Sequence, residues 1–123
     1  SVAFFGPRKS EDVAFQMQEA DVFVLFSEME NAPCVISEAL CCGLPVISSS
    51  VAGIPEMLNN SNGLLVEASD ESALVLAMEK AYLEHHQWDR IQIANAAAEK
   101  YSMNAVAGVL DTSYRNLIDL CAE

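Results

Sequence analysis

The sequence predicts an α/β domain with a parallel sheet, closed by three helices at its C-terminal end. Three observations carry this expectation. Apolar runs of strand length alternate with segments of helical period between Val2 and Val66. The strongest run, Val22-Phe23-Val24-Leu25-Phe26, has no polar alternation, as suits a strand covered on both faces. From Ser69 onward the periodicity is helical alone.

The first expected strand is Val2-Ala3-Phe4-Phe5, closed by Gly6-Pro7. Ser10 is placed to cap a helix with Glu11 and Asp12 in its first turn, where the dipole favours acids. Val13, Phe15, Met17 and Ala20 give that helix an imperfect apolar face. After the Val22–Phe26 strand, Asn31 is the expected cap of the next helix, with Pro33 in a first turn that needs no N–H. The helix runs to about Cys42, and Gly43 takes the position just past its end. Pro45 opens a strand through Ser48, followed by a serine loop. Gly53-Ile54-Pro55-Glu56 starts a turn or short helix through Leu58. Asn59 to Gly63 is turn chemistry, and Leu64-Leu65-Val66 is the last strand. Helices are expected over 69–83, 87–101 and 103–121. The last carries Val106, Val109, Leu110, Tyr114, Leu117, Ile118 and Cys121 at helical spacing. Four strands are few for a doubly wound sheet, so the domain is expected to continue upstream of Ser1.

A chain of 123 residues fits one domain. Its net charge of -12, with six Lys and Arg in all, argues against nucleic-acid or anionic-membrane partners. No Lys or Arg lies between Ser10 and Glu79. Cys34, Cys41, Cys42 and Cys121 form no C-x-x-C pair and His85 adjoins His86, so metal-ligand spacings are missing and no metal is expected. The vicinal Cys41–Cys42 pair reads as reduced, buried thiols in a cytoplasmic protein. Trp88 reads as the anchor of a helix junction. No apolar stretch approaches a membrane span.

In open α/β sheets ligands bind at the carboxyl ends of the strands. Two segments are expected there, Ser27–Pro33 and Ser48–Glu56. A helix starting near Ala32–Pro33 presents unpaired N–H groups and the positive end of its dipole, so it can hold a diphosphate without Lys or Arg. Glu30 precedes this helix and Glu38 lies on its second turn. Each carboxylate can accept from two vicinal hydroxyls, as in sugar or ribose recognition. The dipole alone also favours acids at a helix start, which accounts equally well for Glu28 and Glu30. Glu38 sits among Val35, Ile36, Ala39, Leu40 and Cys41, where a buried acid must be paired or bound.

The segment from Glu30 to Glu38 holds two Glu separated by seven residues, and it runs on into Ala39-Leu40-Cys41-Cys42-Gly43-Leu44-Pro45-Val46-Ile47. It resembles the E-x7-E signature and the E-A-x-x-x-G-x-P-V-I run of the family 4 (group 1) glycosyltransferases. Ala20 to Ser27 resembles the family's A-D-x-F-V-L-x-S strand. Gly53-Ile54-Pro55-Glu56 and Asn62-Gly63-Leu64-Leu65-Val66 resemble its G-x-P-E and N-G-x-L-V pieces, in the same order. The resemblance implies a Rossmann-like C-terminal half of a GT-B fold, truncated on its N-terminal side. It implies retaining sugar transfer from a nucleotide-diphosphate sugar, without metal or other cofactor, to a sugar or lipid-linked acceptor.

By the same resemblance Glu30 is the catalytic-side carboxylate that meets the donor sugar. The backbone of Asn31, Ala32, Pro33 and Cys34 contacts sugar and diphosphate, Glu38 binds the ribose, and Val35 packs near the nucleotide. Ser48, Ser49, Ser50 and Gly53 line the pocket wall. The sequence departs from the family where a Gly commonly follows the first Glu; Asn31-Ala32-Pro33 stands there. The family's basic pair normally lies upstream of Val2. The whole enzyme is expected in the cytoplasm, with peripheral membrane association open, and the chain alone is expected to be inactive and to self-associate through uncovered apolar surface. The rival expectation is a non-catalytic, flavodoxin-like binding module, monomeric and with a complete sheet.

Overall fold

Val46 and Ile47 are neighbours in the chain and point into different cores, and the architecture follows from that alternation. The computed structural model describes residues 1–122. Its elements are α1 (Ser10–Glu19), β1 (Phe23–Leu25), α2 (Cys34–Cys41), β2 (Val46–Ser49), β3 (Gly63–Val66), α3 (Glu71–Glu84), α4 (Arg90–Tyr101) and α5 (Met103–Cys121). Single 3-10 turns occupy Ile54–Glu56 and His85–Gln87. The sheet order is β1-β2-β3 and both pairings are parallel. Val46 pairs with Phe23 on one side and Gly63 on the other.

β2 is central and wholly buried. One face packs with Ile36, Ala39 and Leu40 of α2, Ile93 and Ala97 of α4, and Met17 of α1. The other face joins Ile47 and Val66 to Ala77 and Ala81 of α3. Burying each of the large aliphatic side chains stabilises the fold by about 1.5–3 kcal/mol. Trp88 touches both clusters and donates its indole N–H to the Asn60 carbonyl at 3.2 Å, so it is the junction anchor the sequence suggests. Gly63 is forced by close approach: a Cβ there would collide with the Val46 carbonyl across the β2–β3 pair.

The helices start and stop by local chemistry. Asp70 caps α3 by accepting from Ala73 N–H at 2.9 Å. Asp89 caps α4 through Ile91 and Gln92 N–H, both at 3.0 Å, and Ser102 caps α5 through Ala105 N–H at 3.2 Å. α2 ends as expected at Gly43, whose φ is +71°, with Gly43 N–H to Leu40 O and Leu44 N–H to Ala39 O. That pair of bonds is a Schellman motif.

Four expectations need correction. Val2–Phe5 forms no strand; Val2 is 83% and Phe4 95% exposed. A strand needs a partner ladder as well as apolar residues, and no neighbouring strand lies against this segment. The sheet therefore has three strands among the described residues, where four were expected. Asn31 does not cap α2, which begins three residues later with Pro33 in the cap position and no side-chain bond. The Asn31 carbonyl instead accepts from Gly53 N–H at 3.1 Å, which holds that residue in the loop. Ser10 likewise lies inside α1, with Lys9 in the cap position. Finally, the thiols are not buried: Cys34, Cys41 and Cys121 are exposed and Cys42 is half-buried. α2 turns Ile36, Ala39 and Leu40 to the core, and its cysteines fall on the remaining faces.

Candidate functional site

The three parallel strands end on one edge, and the loops that leave them are tied together there. Ser49 Oγ accepts from Ser27 N–H at 3.0 Å, and Ser48 Oγ donates to the Leu25 carbonyl at 2.8 Å. Both serines are fully buried, so each polar group is satisfied within the scaffold and fixes β1 against β2. Ser50 N–H donates to the Val66 carbonyl at 2.7 Å, which adds the end of β3.

On this base stands the loop from Phe26 to Pro33. Ser27 Oγ donates to Glu30 Oε1 at 2.9 Å and orients the half-buried carboxylate. Glu28 Oε1 accepts from Ser69 Oγ at 3.0 Å, linking the loop to the segment after β3. Gly53 sits against the same loop. A Cβ on Gly53 would lie 3.2 Å from the Asn31 oxygen and 3.9 Å from the Ala32 methyl. Positive φ at Ala52 (47°) and Ser69 (64°) marks backbone strain beside the same edge. Such a conformation costs a non-glycine residue roughly 1–2 kcal/mol.

The structure thus brings Glu30, Asn31, Ala32 and Gly53 together, with Ser48 as internal support. Asn31, Ala32 and Cys34 are exposed and Pro33 is half-buried at the start of α2. Val35 is half-buried and packs on the core. Glu38 is exposed, against the expectation of a buried acid. The apolar neighbours that suggested burial turn to other faces of α2. Glu38 borders a separate cavity of about 380 Å³ between α1 and α2, together with Arg8, Met17, Cys41 and Cys42. Partial desolvation of the thiol, first, and then the neighbouring Cys42 push Cys41 above its ordinary value. Burial and then the Glu38 charge push Cys42 the same way, opposed by Arg90.

Chemically, Glu30 has the makings of a fixed hydrogen-bond acceptor for hydroxyl groups at the mouth of α2. Of the first-turn amides of α2, Ile36 N–H donates to the Pro33 carbonyl at 3.1 Å, while those of Cys34 and Val35 have no intrahelical acceptor and can meet an anion. Ser27 and Ser49 lie in segments expected at this edge, but their bonding role and the part of Ser69 were not expected. Of the three, only Ser27 carries a signal in the sequence, a serine just past an apolar strand.

Residues 1–100 match the sequence pattern of the family described as "Glycosyl transferases group 1", and the chain belongs to that family. It is 33% identical over 106 residues to the amylovoran biosynthesis glycosyltransferase AmsK of Erwinia amylovora, covering 80% of this chain and 26% of that protein. It is 31% identical over 122 residues to the D-inositol 3-phosphate glycosyltransferase of Corynebacterium jeikeium, covering 94% of this chain and 28% of that one. The fold is similar to that of the sucrose-phosphate synthase from Thermosynechococcus elongatus, with a TM-score of 0.84 at 27% identity, covering 96% of this chain and 30% of the other. The α/β expectation therefore stands, in the form of a parallel sheet followed by three helices. The chain spans less than a third of the length of each of these proteins.

Proposed function

We propose that the chain supplies part of the donor site of an enzyme that moves a sugar, with retention, from a nucleotide-diphosphate sugar to an acceptor. The observation that supports this most is the Glu30 carboxylate, held by Ser27 at 2.9 Å at the strand edge and directly ahead of α2. In this reading Glu30 accepts from the donor sugar's hydroxyls. The amides of Asn31, Ala32 and Cys34 face sugar and diphosphate, and the α2 dipole offsets phosphate charge that an acidic chain would otherwise repel. Pro33 has no N–H and serves as spacer.

Glu38 accepts from the ribose, and the cavity it borders takes the nucleoside end. Val35 stiffens α2 beside the nucleotide, Gly53 leaves room for close approach, and Ser48 holds the wall from inside. No Lys or Arg lies between Ser10 and Glu79, so at this edge the diphosphate charge falls to the amides and dipole of α2. The acceptor is a sugar or a lipid-linked sugar.

The test uses a protein of the relatives' full length that carries this chain. It should transfer or hydrolyse sugar from a UDP- or GDP-sugar. Glu30→Ala and Glu38→Ala should each abolish that activity while the far-ultraviolet circular dichroism is unchanged. Normal turnover in both variants overturns the assignment.

A further inference from the structure

The cavity of about 380 Å³ that Glu38 borders carries a second charged group, Arg8. The chain has three arginines, and the other two are occupied: Arg90 bonds backbone carbonyls of Gly43, Ala20 and Gln18, and Arg115 pairs with Asp111. Arg8 makes no hydrogen bond or ion pair among the described residues. Its guanidinium carbon lies over the Phe5 ring, 5.8 Å from the centroid, a contact that uses none of its five N–H donors. The wall that α1 gives the cavity is apolar, from Val13, Ala14 and Met17. One space thus holds a carboxylate that accepts, a planar fork that donates and an apolar wall. A nucleoside has the three matching parts: ribose hydroxyls, an acceptor edge on the base and a ring face.

We propose that Arg8 selects the nucleotide, and that the base it selects is guanine. This rests on the reading of Glu38 as the ribose group and of its cavity as the nucleoside end. Guanine presents O6 and N7 side by side, two acceptors that match two parallel N–H bonds from one guanidinium. Adenine keeps N7 but carries an amine where O6 would be, so a donor there faces a donor. A pyrimidine has no N7, and uracil offers its O4 carbonyl alone at that edge. The discrimination therefore comes from the fork geometry of Arg8 and not from its charge, which all nucleotides would feel alike. Arg8 takes no part in the transfer step; it is a specificity residue at the far end of the donor.

The probes are GDP, UDP and ADP, titrated by calorimetry into the full-length protein carrying this chain and into its Arg8→Ala and Arg8→Lys variants. GDP should bind the unaltered protein about tenfold or more tightly than either rival, equivalent to about 1.4 kcal/mol. Arg8→Ala should weaken GDP by about tenfold or more and change UDP and ADP by less than about twofold, the pattern of a lost base contact. The unchanged binding of UDP and ADP shows that the variant is folded. Arg8→Lys should restore little of the preference, because an ammonium has no planar fork. Preference for UDP or ADP, or a GDP preference that survives Arg8→Ala, overturns the inference while the donor reading stands. So does an equal loss for all three nucleotides, which would set Arg8 against the phosphates. Absence of any nucleotide binding to the unaltered protein overturns the donor reading, and the inference with it.

Discussion

Arg90 and Gly43 constrain each other from both sides. Arg90 Nε donates to the Gly43 carbonyl at 3.1 Å, while a Cβ on Gly43 would lie 2.5 Å from the Arg90 carbonyl oxygen. The same guanidinium donates to Ala20 O and Gln18 O, both at 2.9 Å. One side chain thus satisfies carbonyls at the ends of two helices, where the dipole favours a cation. It fixes α1 and α2 to the start of α4.

Arg90→Ala should therefore lower stability by about 1.5–3 kcal/mol, the range for hydrogen bonds to a charged group. Arg90→Lys should recover only part of this, because an ammonium cannot reproduce the planar fork of donors. Urea unfolding of the three proteins checks both statements. Gly43→Ala should cost about 1–3 kcal/mol from its positive φ alone, and the contact with Arg90 adds to that.

Gly63→Ala should be worse. The new methyl would collide with the Val46 carbonyl in the centre of the sheet, where nothing flexible can yield. The expected loss is about 4 kcal/mol or more. Soluble yield and the unfolding midpoint measure it.

Ser27→Ala separates positioning from contact. Removing the hydroxyl leaves the Glu30 charge in place but no longer held by its 2.9 Å bond. In the full-length protein kcat/KM should fall about ten- to a hundredfold, the scale of a small misplacement. Glu30→Ala should cost more than Ser27→Ala. Equal loss in the two variants would assign Ser27 a direct role.

Alkaline stability should report the thiol pair. Both thiols lie above the ordinary value of 9.0, so the folded state holds the neutral forms more firmly than the unfolded chain does. Their contribution is complete below the ordinary value and is lost as pH rises through the raised ones. Urea midpoints measured across that interval should fall with pH. The Cys41→Ser/Cys42→Ser variant should show a shallower fall.

Much of this was legible from residue order. The parallel sheet, the helix stop at Gly43 and the Trp88 junction rest on local chemistry, which short segments carry by themselves. The misses depended on partners that a linear reading does not contain. Val2–Phe5 has strand composition without a ladder, and Asn31 has cap chemistry but is held by Gly53 across the chain. Glu38 sits in an apolar stretch, yet which face of α2 turns inward was set by β2 and α4. The grouping of Glu30 with Gly53 was legible as two loops on one edge. The Ser27 and Ser49 bonds that hold it were not, since hydroxyl partners follow from geometry.

α5 has no buried residue, and Val109, Tyr114, Ile118 and Leu120 are each more than 60% exposed along it. Its one ion pair among the described residues, Arg115 to Asp111, is exposed and contributes only tenths of a kcal/mol. Most helices in proteins owe their stability to what packs on their apolar face. The helicity of residues 103–121 is therefore a built-in gauge. Amide hydrogen exchange in that segment should be fast when the face is bare and slow when it is covered, so the protection of one helix reads out what packs on that face.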